Sequence, residues 1–295
     1  MIILNYLVYY LFILPVSLLP YPLLYGVSNV LYYLLYYALG YRKKVVMKNI
    51  QNSFPEKTHA EHVAIAKRFY RHFCDLVLES LKVFTISEKD VRERMVVKNA
   101  ELLNAYFDQG KSIILAGGHY NNWELFAVGI DAPIKHNTIA IYKPLSNLFF
   151  DGKMRETRGK YGLRMISTKI VKSVFEEDSD NLTATIFGID QSPAPLKCHW
   201  MKFLNQDTGV LFGTEKYAKE YNYPVIFGQL TKEKRGHYSL EFFKTFDEPA
   251  QTQHGEITEK ITRMLEDQIN DKPEFWLWTH KRWKHKMPAH LPSLQ

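Results

Sequence analysis

The sequence predicts an α/β fold in which helices flank a mixed central sheet, preceded by an N-terminal membrane-anchoring helix or hairpin. Short apolar runs rich in β-branched residues, typical of buried strands, alternate with longer helical stretches. Two of these runs, 224–230 and 238–246, are separated by a charged turn alone, which favours an antiparallel pair in the sheet. The third observation is an apolar segment at the N-terminus.

This segment, Met1–Tyr41, contains no Asp, Glu, Lys, Arg or His, and ten of the 19 tyrosines lie within it. It exceeds the about 20 residues that a membrane-spanning helix needs. Pro20 and Pro22 divide it, and its second piece is rich in tyrosine, so that piece either spans the bilayer or lies at its surface. The cations of Arg42–Lys44 follow directly and indicate a cytoplasmic body. We expect an anchor over 1–41 and a globular domain over 42–295; the alternative is a buried hairpin of a soluble protein.

Composition limits the partners. The 295 residues include 38 basic and 31 acidic side chains, a net charge of +7, all of it on 42–295. A basic body suggests an anionic surface, and the absence of zinc-finger, RNP and basic-zipper patterns argues for a membrane and against nucleic acid. Cys74 and Cys198 are the only cysteines, which form no disulfide framework and suggest a reducing compartment.

Three helices are expected before the first strand, over Val45–Phe54, Thr58–Phe84 and Asn99–Asp108. The longest begins with a capping box, Thr58 with Glu61, and carries an apolar stripe. Glu79 lies on the same helix, where we expect a solvated or salt-bridged position.

Five strands are expected, and the regions between them are expected to be helical or loop. The strands are Ser112–Ala116, Asn137–Tyr142, Leu182–Ile189, Pro224–Leu230 and Tyr238–Phe246. Residues 203–208 are predicted to form a polar loop whose Asp207 and Thr208 cap a helix ending at Tyr221. Further helices are expected from Ser146 to Gly162, over Lys169–Phe175 and over His254–Ile269. The tail, 275–286, is basic and rich in tryptophan, and we expect it to contact the membrane surface.

The stretch 111–129 carries the chemistry. Its strand ends in Gly117 and Gly118, and these glycines are expected to make a tight turn sterically easy. His119 lies on the loop, and Glu124 lies in the first turn of the following helix. Residues five apart within one helix point about 140° apart, so His119 meets Glu124 only by folding back over the helix start.

A histidine beside a carboxylate is a general-base arrangement. The carboxylate binds the proton on one ring nitrogen and fixes the tautomer, and the other nitrogen then takes a proton from a hydroxyl. A loop histidine with a helix-capping glutamate is the simpler alternative.

The chain resembles the lysophospholipid acyltransferase superfamily, and within it the lipid A biosynthesis (lauroyl/myristoyl) acyltransferases of Gram-negative bacteria. The superfamily signature, His-x4-Asp/Glu, is present as His119 and Glu124. Nearly the whole chain contributes: Gly118, Asn122 and Trp123, Ser53–Glu56, Tyr142–Pro144, Asn147, Arg158, Gly162, Asp190–Gln191, Phe203–Thr208 and Trp276–Lys284. Asn121 and Lys143 stand where relatives often have Gly and Arg; Asn tolerates a left-handed backbone, and Lys binds anions without a bidentate contact.

The resemblance implies a glycerolipid-acyltransferase-like fold and transfer of a fatty acyl chain from an acyl thioester to a lipid hydroxyl. His119 would be the general base, and Glu124 would orient it. Arg158, with Arg155 as second candidate, would hold an anionic group of the substrate. Asn122, Asp190 and Gln191 are further substrate-binding candidates. No metal or organic cofactor is needed.

The implied partners are an acyl carrier protein as donor and a lipid acceptor at the cytoplasmic face of the bacterial inner membrane. A lipid A precursor is the expected acceptor, and another membrane lipid, such as an aminolipid or lysophospholipid, or a specialised acyl product is the alternative. Two other functions stay open, which are acyl hydrolysis with water as acceptor and lipid binding without chemistry.

Overall fold

The computed structural model describes residues 2–177 and 181–288. Its helices are α1 Ile2–Val8, α2 Leu14–Leu18, α3 Tyr21–Tyr33, α4 Lys43–Ser53, α5 His59–Lys82, α6 Glu88–Arg94, α7 Ala100–Asp108, α8 Trp123–Gly129, α9 Leu148–Arg158, α10 Val171–Glu177, α11 Gly213–Tyr221 and α12 Glu256–Asp271. Its strands are β1 Met95–Val97, β2 Ile113–Gly117, β3 Asn137–Tyr142, β4 Arg164–Ser167, β5 Thr183–Gly188, β6 His199–Phe203, β7 Gln206–Val210, β8 Val225–Lys234 and β9 His237–Phe246.

Seven strands form the central sheet in the order β1-β9-β8-β2-β5-β3-β4. All neighbours are parallel except β8 and β9, which form an antiparallel hairpin. The predicted mixed α/β sheet is therefore confirmed, and β2, which precedes the histidine loop, lies at its centre. Because strand side chains alternate, β2 directs Ile113 and Leu115 into the layer that contains α6, α7 and α8. It directs Ile114 and Ala116 into the layer that contains α5, α11 and α12.

The short strands β1 and β4 were not among the five predicted strands, and the predicted loop over 203–208 is wrong. Residues 199–210 form a two-stranded hairpin, β6 and β7, and helix α11 begins only at Gly213. The two residues between these strands, Leu204 and Asn205, both have positive φ, 49° and 61°. Paired left-handed residues make the tight turn that fits the twist of a hairpin, and Leu is an uncommon residue there. The sequence therefore carried no recognisable turn signal.

The N-terminal apolar segment forms two helical arms. Leu19 leaves the helical conformation before Pro20, as residues before proline tend to do, and the helix axis bends by 119° between the arms. Among the described residues no single helix is long and apolar enough to cross a membrane. The bent pair, Ile3–Leu18 with Tyr21–Ala38, has sufficient length and apolar composition when its two helices are taken together. Its inner face packs on α5 through buried Leu24 and Tyr32.

The outer face of the two arms is apolar and exposed. It presents Ile3, Leu4, Leu7, Leu11, Phe12, Leu18, Leu23, Val30, Tyr33 and Leu39. An exposed apolar face of this kind is typical of a contact with a membrane or with another protein.

The tryptophan-rich C-terminal segment departs from the sequence prediction. Trp276 and Trp278 are 2% and 0% exposed, packed in the core. Trp283 donates its indole N–H to Thr208 Oγ1, at 2.7 Å. The expectation of a membrane-surface position is wrong for Trp276 and Trp278, because the segment crosses the carboxyl ends of the strands and closes the core there.

Candidate active site

The histidine loop is shaped by close packing and by one left-handed residue. A Cβ on Gly118 would lie 2.6 Å from Leu265 Cδ2 of α12, so no larger residue fits without displacing that side chain. The positive φ of this loop, 56°, belongs to Asn121, whereas neither Gly117 nor Gly118 has one. The two glycines therefore serve close approach rather than the turn itself, which corrects the sequence interpretation.

Asn121 is fully buried, and both its backbone and its side chain donate hydrogen bonds. Its backbone N–H donates to Phe275 O at 3.0 Å, and its side-chain amide donates to Leu230 O at 2.9 Å. Asparagine stabilises a left-handed residue better than most side chains do, and these bonds fix the loop against β8 and the C-terminal segment.

His119 is paired with Asp190, because the register of the sheet brings them together. Strands β2 and β5 are parallel neighbours with Gly117 opposite Gly188, and each functional residue follows its glycine by two positions. His119 Nδ1 lies 2.6 Å from Asp190 Oδ1, and the His119 backbone N–H donates to Asp190 Oδ2 at 2.8 Å. The predicted substrate-binding Asp190 therefore contacts the histidine itself.

The carboxylate of Asp190 is buried and fully engaged. Trp276 Nε1 donates to Asp190 Oδ2 at 2.8 Å, so this oxygen accepts two hydrogen bonds and Oδ1 accepts the third. Burial alone would raise the pKa of Asp190, but the charge and hydrogen bonds of His119 and Trp276 hold that pKa well below its usual range. An ionised Asp190 only accepts, so the proton of His119 resides on Nδ1 and Nε2 keeps its lone pair.

The same pairing makes His119 a stronger base. Burial lowers the pKa of His119, yet the carboxylate of Asp190 and, more weakly, Glu124 outweigh it and leave the pKa above 6.5. The side chain is 24% exposed, so a substrate can reach it. On the open side, the Gln191 amide nitrogen lies 3.4 Å from His119 Nε2.

Glu124 does not orient His119. Its carboxylate forms a bidentate pair with Arg158 of α9, whose Nη2 and Nε lie 2.6 and 2.8 Å from Oε1 and Oε2. Trp123 connects this pair to the histidine: its indole N–H donates to Glu124 Oε1 at 3.1 Å, and its ring meets the His119 ring edge-on, with centroids 5.2 Å apart. Glu124 is therefore turned toward the neighbouring helix, and its charge raises the pKa of His119 more weakly than Asp190 does.

Of the two other residues predicted to bind substrate, Asn122 is buried and Arg155 lies on the outer side of α9. Asn122 is buried, and its Oδ1 accepts the Leu125 backbone N–H at 2.8 Å, which caps α8. Arg155 is exposed on the outer side of α9, in a shallow groove with Gly152 and Arg164. Neither of them lines the cavity that contains His119.

That cavity has a volume of about 500 Å³ and a mostly apolar lining. Leu115, Phe126 and Ile186 line it on the α8 side of the sheet, and Ala116, Phe187 and Tyr217 line it on the α11 side. Its polar lining includes His119, Lys143, Arg158 and Gln191. A cavity of this size and lining, with His119 at the strand ends, suits an apolar chain.

Comparison with known proteins places the chain. A sequence profile of the bacterial lipid A biosynthesis acyltransferases matches residues 2–285. A lipid A biosynthesis acyltransferase of Haemophilus influenzae is 22% identical over 281 residues, 94% of this chain and 89% of the relative. The crystal structure of the 1-acyl-sn-glycerophosphate acyltransferase PlsC from Thermotoga maritima covers 86% of this chain and 99% of its own, with 13% identity and a TM-score of 0.38.

The profile match over nearly the whole chain identifies the protein as an acyltransferase. The chain belongs to the bacterial lipid A biosynthesis acyltransferase family.

Proposed function

We propose that this protein transfers a fatty acyl chain from an acyl carrier protein thioester to a hydroxyl of a lipid A precursor. The observation that carries the proposal is that Asp190 holds the proton of His119 on Nδ1, so the lone pair of Nε2, with the Gln191 amide 3.4 Å away, faces a 500 Å³ apolar cavity. The cavity suits the acyl chain, and the base suits a hydroxyl.

The reaction needs one proton transfer in each direction. His119 Nε2 takes the proton of the acceptor hydroxyl as its oxygen attacks the thioester carbonyl, and Asp190 stabilises the resulting imidazolium. The tetrahedral intermediate collapses, the C–S bond breaks, and the leaving thiolate takes the proton back from His119. The Gln191 amide, 3.4 Å from Nε2, is a donor close enough to the reacting atoms to stabilise the oxyanion.

Glu124 and Arg158 act together in this proposal. Their bidentate pair fixes the Glu124 carboxylate near His119, and each side chain is less than one-fifth exposed, 19% for Glu124 and 18% for Arg158. Arg158 is thus already engaged, so an anionic group of the substrate would meet Lys143 first. Lys143 lines the cavity, is exposed and has no carboxylate partner within the described residues.

We further propose that residues 1–41 anchor the acyltransferase domain, 42–295, to the cytoplasmic face of the bacterial inner membrane. The exposed outer face of the two arms continues onto the rim of the cavity. Asn5 and Asn147 exchange amide hydrogen bonds at 3.0 and 3.3 Å, and this joins α1 to the start of α9. Leu145 and Leu148 on that rim are 42% and 83% exposed. A lipid acceptor would then pass directly from the bilayer to the cavity mouth.

The test is incubation of the purified full chain with an acyl carrier protein thioester, or with acyl-coenzyme A, with and without lipid acceptor. Transfer requires acceptor, hydrolysis proceeds without it, and a lipid-binding protein shows neither reaction. A folded His119→Ala variant should lose about 10²–10⁴ in rate. Near-normal turnover by that variant would exclude His119 as the base. Mass spectrometry of lipids from a strain lacking the protein identifies the acceptor.

A further inference from the structure

Glu79 is a buried carboxylate that the proposed reaction does not use. It lies on α5, is 5% exposed, and was expected at a solvated position. Three donors from three different elements converge on it: Tyr25 of α3 at 2.9 Å, Tyr238 of β9 at 2.7 Å, and the Asn122 amide at 2.8 Å. Burial raises the pKa of Glu79, although hydrogen bonds from the tyrosines and the charge of Lys232 oppose that effect.

Asn122 links this carboxylate to the active site. Its side-chain nitrogen donates to Glu79 Oε2, and its side-chain oxygen accepts the Leu125 backbone N–H at the start of α8. An amide has one donor end and one acceptor end, so whatever fixes one end fixes the other. Glu79 Oε2 must accept from Asn122, which keeps the amide oxygen turned toward α8. The helix start that carries Trp123 and Glu124 is thereby held beside His119.

Tyr25 brings the N-terminal arms into the same cluster. Its hydroxyl donates to Glu79 Oε1, and its ring stacks under the Arg235 guanidinium, 4.4 Å from the ring centroid. One hydrogen bond therefore separates the apolar arm from the carboxylate that holds the capping amide. Removal of residues 1–41 would remove this donor as well as the anchor.

We propose that Glu79 is a positioning residue that couples the N-terminal arms to the catalytic loop, through Tyr25 on one side and Asn122 on the other. The inference rests on the proposed function for its kinetic consequence, whereas its structural part can be measured without any substrate. The apolar arms are then part of the catalytic assembly in addition to being an anchor.

The first experiment measures hydrogen–deuterium exchange of the full chain in one lipid or detergent preparation. Tyr25→Phe should accelerate amide exchange over residues 119–126 by roughly three- to tenfold, because its hydrogen bond to Glu79 is lost. Tyr21→Phe is the matched control. Tyr21 lies one turn earlier on α3, and its ring packs on Arg94 at 3.2 Å, without a hydrogen bond to Glu79. Equal exchange in the two variants would overturn the coupling.

The second experiment compares Glu79→Gln with Glu79→Leu by steady-state kinetics. Glutamine can place its oxygen where Oε2 accepts from Asn122 and Tyr238, and its amide can donate to the Tyr25 hydroxyl. Glu79→Gln should therefore keep kcat within about tenfold, whereas Glu79→Leu should lower kcat by about 10²-fold, since small displacements of catalytic groups cost this much. Donor KM should change little in both.

The two experiments distinguish failure of the proposed function from failure of the proposed coupling. If Glu79→Leu does not fold, Tyr25→Phe still decides the question, because both the exchange rate and kcat are measured in a protein with one hydroxyl removed. If the wild type transfers no acyl group, the proposed function fails, and the exchange data still decide whether the arms are coupled to the loop. A folded Glu79→Leu protein with wild-type kcat and exchange would refute the inference.

Discussion

Replacement of Asp190 by asparagine tests the proposed base most sharply, because the structure dictates how the amide must turn. Two donors, the His119 backbone N–H and Trp276 Nε1, point at Oδ2, both at 2.8 Å. The amide oxygen must therefore occupy the Oδ2 position. The amide nitrogen then takes the Oδ1 position, 2.6 Å from His119 Nδ1, and donates to it.

This donation reverses the tautomer of His119. With Nδ1 accepting, the ring proton moves to Nε2, and the lone pair that takes the substrate proton is lost. Turning the amide the other way would leave two buried donors facing an NH₂ group, at roughly 1–3 kcal/mol each. In the serine-protease triad the corresponding Asp→Asn change lowers kcat about 10⁴-fold. We expect Asp190→Asn to lower kcat by about 10³- to 10⁴-fold here.

The pH profile gives an independent readout with a definite sign. His119 works only when neutral, so kcat/KM of the wild type should rise with pH through a pKa above 6.5, the direction that Asp190 imposes. Without the Asp190 charge, burial becomes the dominant influence and lowers the pKa of His119. The rising limb of Asp190→Asn should therefore lie at lower pH than that of the wild type, with a much lower plateau.

The assay is release of the donor thiol with acceptor present, measured from about pH 5 to 9. Asp131→Asn is the control, since Asp131 is a carboxylate beyond the other end of α8 that accepts from Thr138 Oγ1 at 2.6 Å. A folded Asp190→Asn protein within tenfold of wild-type kcat, or one with an unshifted limb, would refute the assignment of Asp190.

Three further predictions follow from the site and the rim. Glu124→Gln and Arg158→Ala should each lower kcat by roughly tenfold or more. The kcat of the double variant should be hardly lower than that of either single variant, because both substitutions break the same bidentate pair. Additive losses in a double-mutant cycle would contradict this. Lys143→Met should raise KM for the anionic substrate by about tenfold at nearly unchanged kcat in steady-state kinetics. Leu148→Ser should weaken co-sedimentation with anionic vesicles, by about threefold or more, whereas Val96→Ser on the opposite sheet edge, 51% exposed, should not.

Much of the fold could be predicted from the sequence alone. Strand β3, Asn137–Tyr142, has its predicted bounds, and β2 and β9 differ by one residue at one or both ends. The capping box of Thr58 and Glu61 is present in full, and Asn122 caps α8. These features are local: apolar periodicity and a capping side chain act within a few residues, so the sequence displays them directly. The hairpin β6–β7 was missed because its turn residues are atypical.

The sequence by itself identified the residues that we propose carry the chemistry: His119 on a loop after a central strand, a carboxylate five residues later, and an acidic residue after another strand. Only the tertiary structure decided which carboxylate serves the histidine. That choice depends on β2 and β5 being parallel neighbours in a register that brings Gly117 opposite Gly188. It also depends on α9, because Arg158 of this helix forms an ion pair with Glu124. Strand order and helix packing join residues 71 and 34 positions apart, and no local pattern encodes such separations.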